Sequence, residues 1–429
     1  MSISTFLKPS SRWLTTSLLL SSLWATSAFA QDVLIRHATV HTAGAQGTLQ
    51  DADVLVQGGI IRAVGSNLQA PASVTVIDAN GKPLTPALFG GITEIGIEEV
   101  SGESETVDSA VSLANDQPMR PEFDVTLAYN PESVLIPIAR VEGLGFTLLG
   151  AGTGGSFIAG QGGVVRLDGS ADPIGPRVLF VKLGSGVLGK SGSSRAAQWM
   201  LLDQMVGEAR RRIAADSPHA LLTPTGRTVL ARYLAGNGRI VVSVDRAADI
   251  RQLLRWAQRE NVRIAIASGI EAWKLAPEIA RAKVPVFVDA LADLPSDFDK
   301  IGATLENAAR LHAAGVEVSF AQFNDASHNA RKIRQYAGNA VANGLPWEAG
   351  LEGLTRVPAQ VLGVADKLGT IAPGKLADLV LWTGDPLDVA NVATQLWLGG
   401  RAIPMRSRQT ELRDRYLRAA GDLPRAYKP

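Results

Sequence analysis

Cysteine is absent from all 429 residues. That excludes disulfide cross-links, thiolate nucleophiles and cysteine-ligated zinc. Histidine is scarce, at five residues, which leaves little for an imidazole-rich metal centre. An excess of one charge is also missing. The net charge of +1 gives no overall electrostatic case for nucleic acid or an anionic membrane surface. No internal repeat or low-complexity segment interrupts the chain.

The most apolar stretch sits near the start. Lys8 and Arg12 precede an apolar run over residues 13–24, and Ala28-Phe29-Ala30 supplies a small-x-small cleavage pattern. Residues 1–30 read as a secretory signal peptide cut before Gln31, so the protein is expected to be exported, to the periplasm. A membrane anchor fits less well, because the apolar core is short and broken by Thr and Ser. The whole chain is 46% apolar, and the part after residue 30 is long enough for a large globular core.

From Val33 to Asp78 the pattern is β. One apolar alternation follows another, with a hairpin expected at Gly58-Gly59. His37 and His41 fall in the first strand and read as half-buried sheet residues rather than a metal pair. Strands and helices then alternate, an α/β pattern. Strands are expected near Gly145, Val178, Ile240, Ile264, Val286 and Val318. Helices are expected over 196–214, 247–261, 271–282, 303–313 and 329–343. Two glycine patterns lie among them. Gly150, Gly152 and Gly155 match G-x-G-x-x-G, but the text that follows is too glycine-rich to open a helix, so tight loop turns are expected. Residues 184–191, GSGVLGKS, match a P-loop, with Asp289 as a conceivable magnesium partner. Here Gly192, Ser193 and Ser194 delay the helix that should begin at Lys190.

The most specific stretch is residues 355–385, TRVPAQVLGVADKLGTIAPGKLADLVLWTGD. A short helix carrying Ala359, Val361 and Leu362 should stop at Gly363. After a turn at Pro373-Gly374, a strand should follow over 379–382. The order T-x-x-P-A-x-x-L-G … G-x-I-x-P-G-K-x-A-D-L-V-L-W resembles the C-terminal signature of the amidohydrolase superfamily, in particular its imidazolonepropionase-like branch. The resemblance implies a (β/α)8 TIM-like barrel over residues 87–365. It also implies a small composite β-sandwich from residues 31–86 and 366–405, with a helical tail over 406–429.

The resemblance also implies where a divalent metal should be held, by histidines at strand ends. The His-x-His of the first barrel strand, aligned on Pro86, falls on Ile92 and Glu94. The histidines ending the fifth and sixth strands fall near Ser243 and Ser268. Isoleucine has no donor atom, so the metal is implied by the family while its ligands are not retained. Asp325 is the match to the family's aspartate after strand eight, the general base. Glu94 is its partner carboxylate. His328 and Arg331 are ligand-binding candidates, Asp245 a further mouth carboxylate. Lys182 is similar in position to the bridging lysine of some members, though a surface or barrel-rim lysine is the better explanation.

The function expected from the resemblance is hydrolysis of non-peptide C–N bonds, such as those of cyclic amides, or of dipeptides, with the catalytic centre degenerate. The alternatives are a non-catalytic periplasmic binding protein that uses the barrel pocket and, from GSGVLGKS, a P-loop NTPase. A small molecule at the barrel mouth is the expected partner, with no nucleic acid and no membrane span in the exported chain.

Overall fold

The computed structural model describes residues 32–113, 119–214, 217–323 and 326–417. The signal-peptide reading and Asp325 therefore fall outside the described residues. Among those described, no helix is long and apolar enough to cross a membrane.

Five strands open the chain: β1 (Val33–His41), β2 (Thr48–Gln57), β3 (Ile60–Gly65), β4 (Thr75–Asp78) and β5 (Pro83–Pro86). The β2–β3 hairpin turns at Gly58 and Gly59, both with positive φ, as its two-residue turn demands. The first barrel strand is β6 (Leu88–Thr93). It is followed by α1 (Leu135–Arg140), β7 (Leu144–Leu149), β8 (Ile158–Arg166) and β9 (Ile174–Lys182). Next come α2 (Arg195–Ala209), α3 (Pro224–Leu234), β10 (Arg239–Val244), α4 (Ala247–Glu260) and β11 (Ile264–Ser268). The barrel continues through α5 (Ala276–Ala282), β12 (Val286–Val288), α6 (Asn307–Ala313) and β13 (Val318–Phe320). Then follow α7 (Ala326–Asn329), α8 (Ile333–Ala342), α9 (Trp347–Gly353) and α10 (Arg356–Val361). The chain returns through β14 (Leu379–Trp382), β15 (Ala393–Leu398) and β16 (Arg401–Ile403) to α11 (Arg408–Tyr416).

Two eight-stranded sheets result. One runs β16-β15-β14-β5-β1-β2-β3 with β4 beside β1, so both ends of the chain share it. The other runs in chain order from β6 to β13 and forms the TIM-like barrel. All its strands point the same way except β8, which is antiparallel to both neighbours. Its two ends, β13 and β6, are joined by a side chain. Gln322 Nε2 donates to Gly90 O at 3.2 Å and to Ala326 O at 3.1 Å.

Alternation along the strands sorts the core into two layers. Phe89, Phe146, Phe180, Val241, Ala265 and Phe287 fill the barrel, with the Phe89 and Phe146 rings 5.3 Å apart. Leu179, Val242, Ile266 and Val286 face outward against the helices. The signature segment explains itself here. Val357, Ala359, Val361, Leu362 and Val364 plug the N-terminal end of the barrel. Gly363, at φ +73, turns the chain over Pro176. Trp382, which ends β14, is buried, bonds Thr85 Oγ1 at 2.9 Å and lies under the Arg334 guanidinium. Barrel and sheet are also tied by charge. Arg166 on β8 reaches Asp168 and the buried Asp378, the latter at 2.7 Å.

Candidate active site at the barrel mouth

The C-terminal ends of parallel strands are where side chains of a barrel can converge on a ligand. At the end of β6, Ile92 packs against the barrel interior. Glu94, just beyond it, is half-buried, and the chain then curls so that Glu98 is fully buried nearby. The Glu94 carboxyl bonds both Ser109 and Glu98. Its pKa is pushed up to about 7, first by desolvation and then by the neighbouring Glu98 charge, while Ser109 pulls it back. Burial beside a second carboxyl disfavours the charged form of Glu94, so its proton is held to higher pH. Ser327, at the start of the segment after β13, clamps the pair from the other side. Its Oγ donates to Glu98 Oε2 at 2.8 Å and accepts from Glu94 N at 3.1 Å.

A second acidic group sits at the ends of β10 and β12, which flank β11. Asp245 follows β10 and Asp289 follows β12. Burial raises the pKa of both, and Lys300 opposes this at each, with its Nζ 3.8 Å from Asp245. Ser268, at the end of β11, bonds the Asp245 side chain. It holds φ +71 to do so, a sparsely populated conformation for a serine. Lys182 ends β9 in register with Ser243 of β10, exposed at the same rim.

Other sequence candidates go elsewhere. His328 and Arg331 line, together with Ser327, a cleft of about 220 Å³ against α1 and the start of α11. Among the described residues, neither is hydrogen-bonded to Glu94. His37 pairs with Asp78 at 3.3 Å, while His41 stacks on Trp347 of α9 with ring centroids 4.7 Å apart. The two do not face one another. His41 has its pKa lowered by burial, against the pull of Asp385 and Glu348.

Neither phosphate motif forms a cradle. Residues 185–190 coil into a 3-10 helix, Lys190 Nζ donates to Thr153 O at 2.6 Å, and α2 starts only at Arg195, capped by Ser194. This rules out the P-loop reading, and Asp289 stands with Asp245 and Lys300 instead. In the other motif, a Cβ on Gly154 would lie 1.9 Å from Val111 O. Gly152 N and Gly155 N donate to Ser109 O and Val111 O. These glycines let two loop backbones touch, and in doing so they fix the Ser109 that holds Glu94.

The superfamily generally uses a divalent metal, and the donor set at this mouth does not fit one. Ile92 offers no donor, Ser243 and Ser268 stand where imidazoles are expected, and burial favours the protonated form of Glu94, which a ligand carboxylate must give up. Among the described residues no group of three or more His, Asp or Glu converges. Sequence reasoning found Glu94 but missed Glu98, Ser109 and Ser327. An acidic residue four positions on from a candidate base was the available signal for Glu98, and nothing marked the serines.

Carboxyl groups at the C-terminal rim of a barrel, beside a separate sheet built from both chain ends, define a class of barrel enzyme scaffold. The comparisons say which. A sequence model of the amidohydrolase family matches residues 233–403. The amidohydrolase tasK of Hapsidospora irregularis is 22% identical over 417 residues; the match takes in 82% of this chain and 39% of that relative's length. The crystal structure of an amidohydrolase from Thermotoga maritima MSB8 superposes with a TM-score of 0.75 at 26% identity, covering 87% of this chain and all of the other. A prolidase complexed with N-methylphosphonate-L-proline shares the fold, with a TM-score of 0.53 at 14% identity, covering 87% and 99% of the two chains. Over residues 233–403 the chain matches the amidohydrolase family, and its fold is that of an amidohydrolase.

Proposed function

We propose that the protein is an exported hydrolase of the imidazolonepropionase-like branch in which a shared-proton carboxyl pair, Glu94 and Glu98, does the proton transfer that a metal centre serves elsewhere in the superfamily. The bond class is a C–N bond of a cyclic amide or a dipeptide, taken up as a small molecule at the mouth. The observation that carries this reading is the Glu94 pKa of about 7 beside a buried second carboxyl. Near neutral pH one member of the pair is a carboxylate and the other keeps its proton. The carboxylate takes a proton from water as the water oxygen bonds to the amide carbon. The neutral carboxyl gives its proton to the leaving nitrogen as the C–N bond breaks. The pair ends with one proton, as it began. Ser109 and Ser327 hold both carboxyl groups in place. Asp325, which the family resemblance matches to the general base, is kept in this proposal as a candidate second carboxylate.

A second reading is favoured by Ile92, Ser243 and Ser268: a mouth that binds a small molecule without turning it over. One set of experiments separates the two. Elemental analysis of protein purified without chelator is expected to find no stoichiometric metal. One or two tightly held ions per chain would overturn the metal-free reading. Screening of cyclic amides and dipeptides should then find hydrolysis that is abolished in Glu94→Gln and Glu98→Gln, weakened in Asp325→Ala, and reduced above about pH 7 as the shared proton is lost. Unchanged activity in Glu94→Gln would sink the hydrolase mechanism. Saturable binding with no turnover establishes the second reading.

A further inference from the structure

The opposite end of the barrel carries a different charge pattern. A groove of about 740 Å³ runs between α4 and α5, beside the N-terminal ends of β10 and β11. Arg251 and Arg255 reach it from α4, Arg263 from the entry to β11, and Arg281 and Lys283 from the end of α5. Arg239, at the start of β10, completes the lining. The facing carboxylate is Glu278, and Arg251 already holds it through two hydrogen bonds of 3.0 and 3.1 Å. Among the described residues, no carboxylate lies within ion-pair distance of Arg239, Arg255, Arg263, Arg281 or Lys283.

A chain of net charge +1 has therefore gathered six cations around one cavity, with a single carboxylate that is already engaged. The whole-chain balance conceals this segregation. Arg239 is the costliest of the six. Its guanidinium is partly desolvated and anchored by two backbone carbonyls, Val361 O at 3.1 Å and Ile264 O at 2.8 Å. Burial and the nearby Arg263 lower its pKa, against the pull of Glu317. Those carbonyls do not neutralise it. Like charges gathered around one groove raise one another's energy, most of all at the partly buried Arg239, and an anion of matching charge relieves them together. Guanidinium forks match the oxygens of phosphate, and five of them line this one groove.

We infer that this groove binds a ligand carrying two or more linked or neighbouring phosphate groups, on the barrel face remote from the mouth. The phosphates can belong to a soluble oligophosphate or to a lipid headgroup. Two probes distinguish these sources: inorganic tripolyphosphate titrated by calorimetry, and sedimentation with vesicles of anionic phospholipid. Saturable tripolyphosphate binding is expected. It should weaken by at least about tenfold in Arg255→Glu/Arg263→Glu, since each lost charge-assisted contact contributes on that order. Both positions are exposed, so the fold should tolerate the change, which circular dichroism checks. Arg413→Glu, on the far α11, should bind as the parent does. Vesicle binding without tripolyphosphate binding, lost in the same double variant, assigns the phosphates to a lipid and supports the site. Binding of neither probe, or equal binding by parent and double variant, overturns it.

Discussion

Replacing Glu94 by glutamine tests the shared proton directly, without any substrate. The folded protein raises the Glu94 pKa from 4.5 to about 7. A shift of that size corresponds to about 3.4 kcal/mol at full strength, and partial solvent exposure at the mouth screens it to about 1–2 kcal/mol. The sign follows from proton counting. Between those two pH values the folded state binds a proton that the unfolded chain has released. The stabilisation is therefore fully present below about pH 4.5 and lost as pH rises through about 7. Glutamine imitates the protonated form, can still bond Glu98 and Ser109, and does not titrate. Urea unfolding of parent and Glu94→Gln, at intervals from pH 4.5 to 8.5, should show the parent losing about 1–2 kcal/mol relative to the variant across that window. In a Glu98→Gln background the difference should shrink, since the neighbouring charge is gone. A difference that stays flat, or a parent that gains on the variant as pH rises, would refute the shared proton and with it the proposed acid.

Three further outcomes follow from the packing. Asp378→Ala leaves the Arg166 charge buried beside Asp168 alone and removes the acceptor of Gly399 N; chemical unfolding should register a loss of about 3–5 kcal/mol. Gly154→Ala forces a Cβ onto Val111 O; amide exchange at Gly155, the donor to that carbonyl, should accelerate at least about tenfold as the two loops separate. Lys300→Met removes the cation that restrains Asp245 and Asp289. Both pKa values should rise further in NMR titration, and stability relative to the parent should fall as pH rises from 5 to 8.

The barrel was largely legible in the chain because its strands are apolar runs with clear punctuation, and the signature segment resembles one that closes such barrels. β8 escaped notice for a physical reason. Its Gly160, Gly162 and Gly163 read as loop, yet a Cβ at Gly162 would lie 1.9 Å from Leu149 O, so a neighbouring backbone requires glycine there. Helix α3 was readable but unread: Thr223 caps it, and Pro224 takes the first turn. The site was less legible still. Glu94 was found only by counting from a family motif. Ser109 and Ser327 are remote in sequence from Glu94 and chemically ordinary, and only their hydrogen bonds give them a role. His328 and Arg331 drew attention as the polar residues after the last strand, and the short α7 and the 3-10 turn after it place both in a cleft against α1 and α11.

The shared sheet imposes an order on biosynthesis. β5 lies between β1 and β14, pairing Leu84 with Leu381, Thr85 with Val380 and Pro86 with Leu379. The first partner emerges early and the second only after the whole barrel has been made. Until then one edge of β5 stands open on the nascent chain, and open edges recruit stray strands. Pro83 and Pro86 sit at the two ends of β5 and carry no N–H to offer. The strand with the longest wait for its partner is thus the one least able to accept a wrong one.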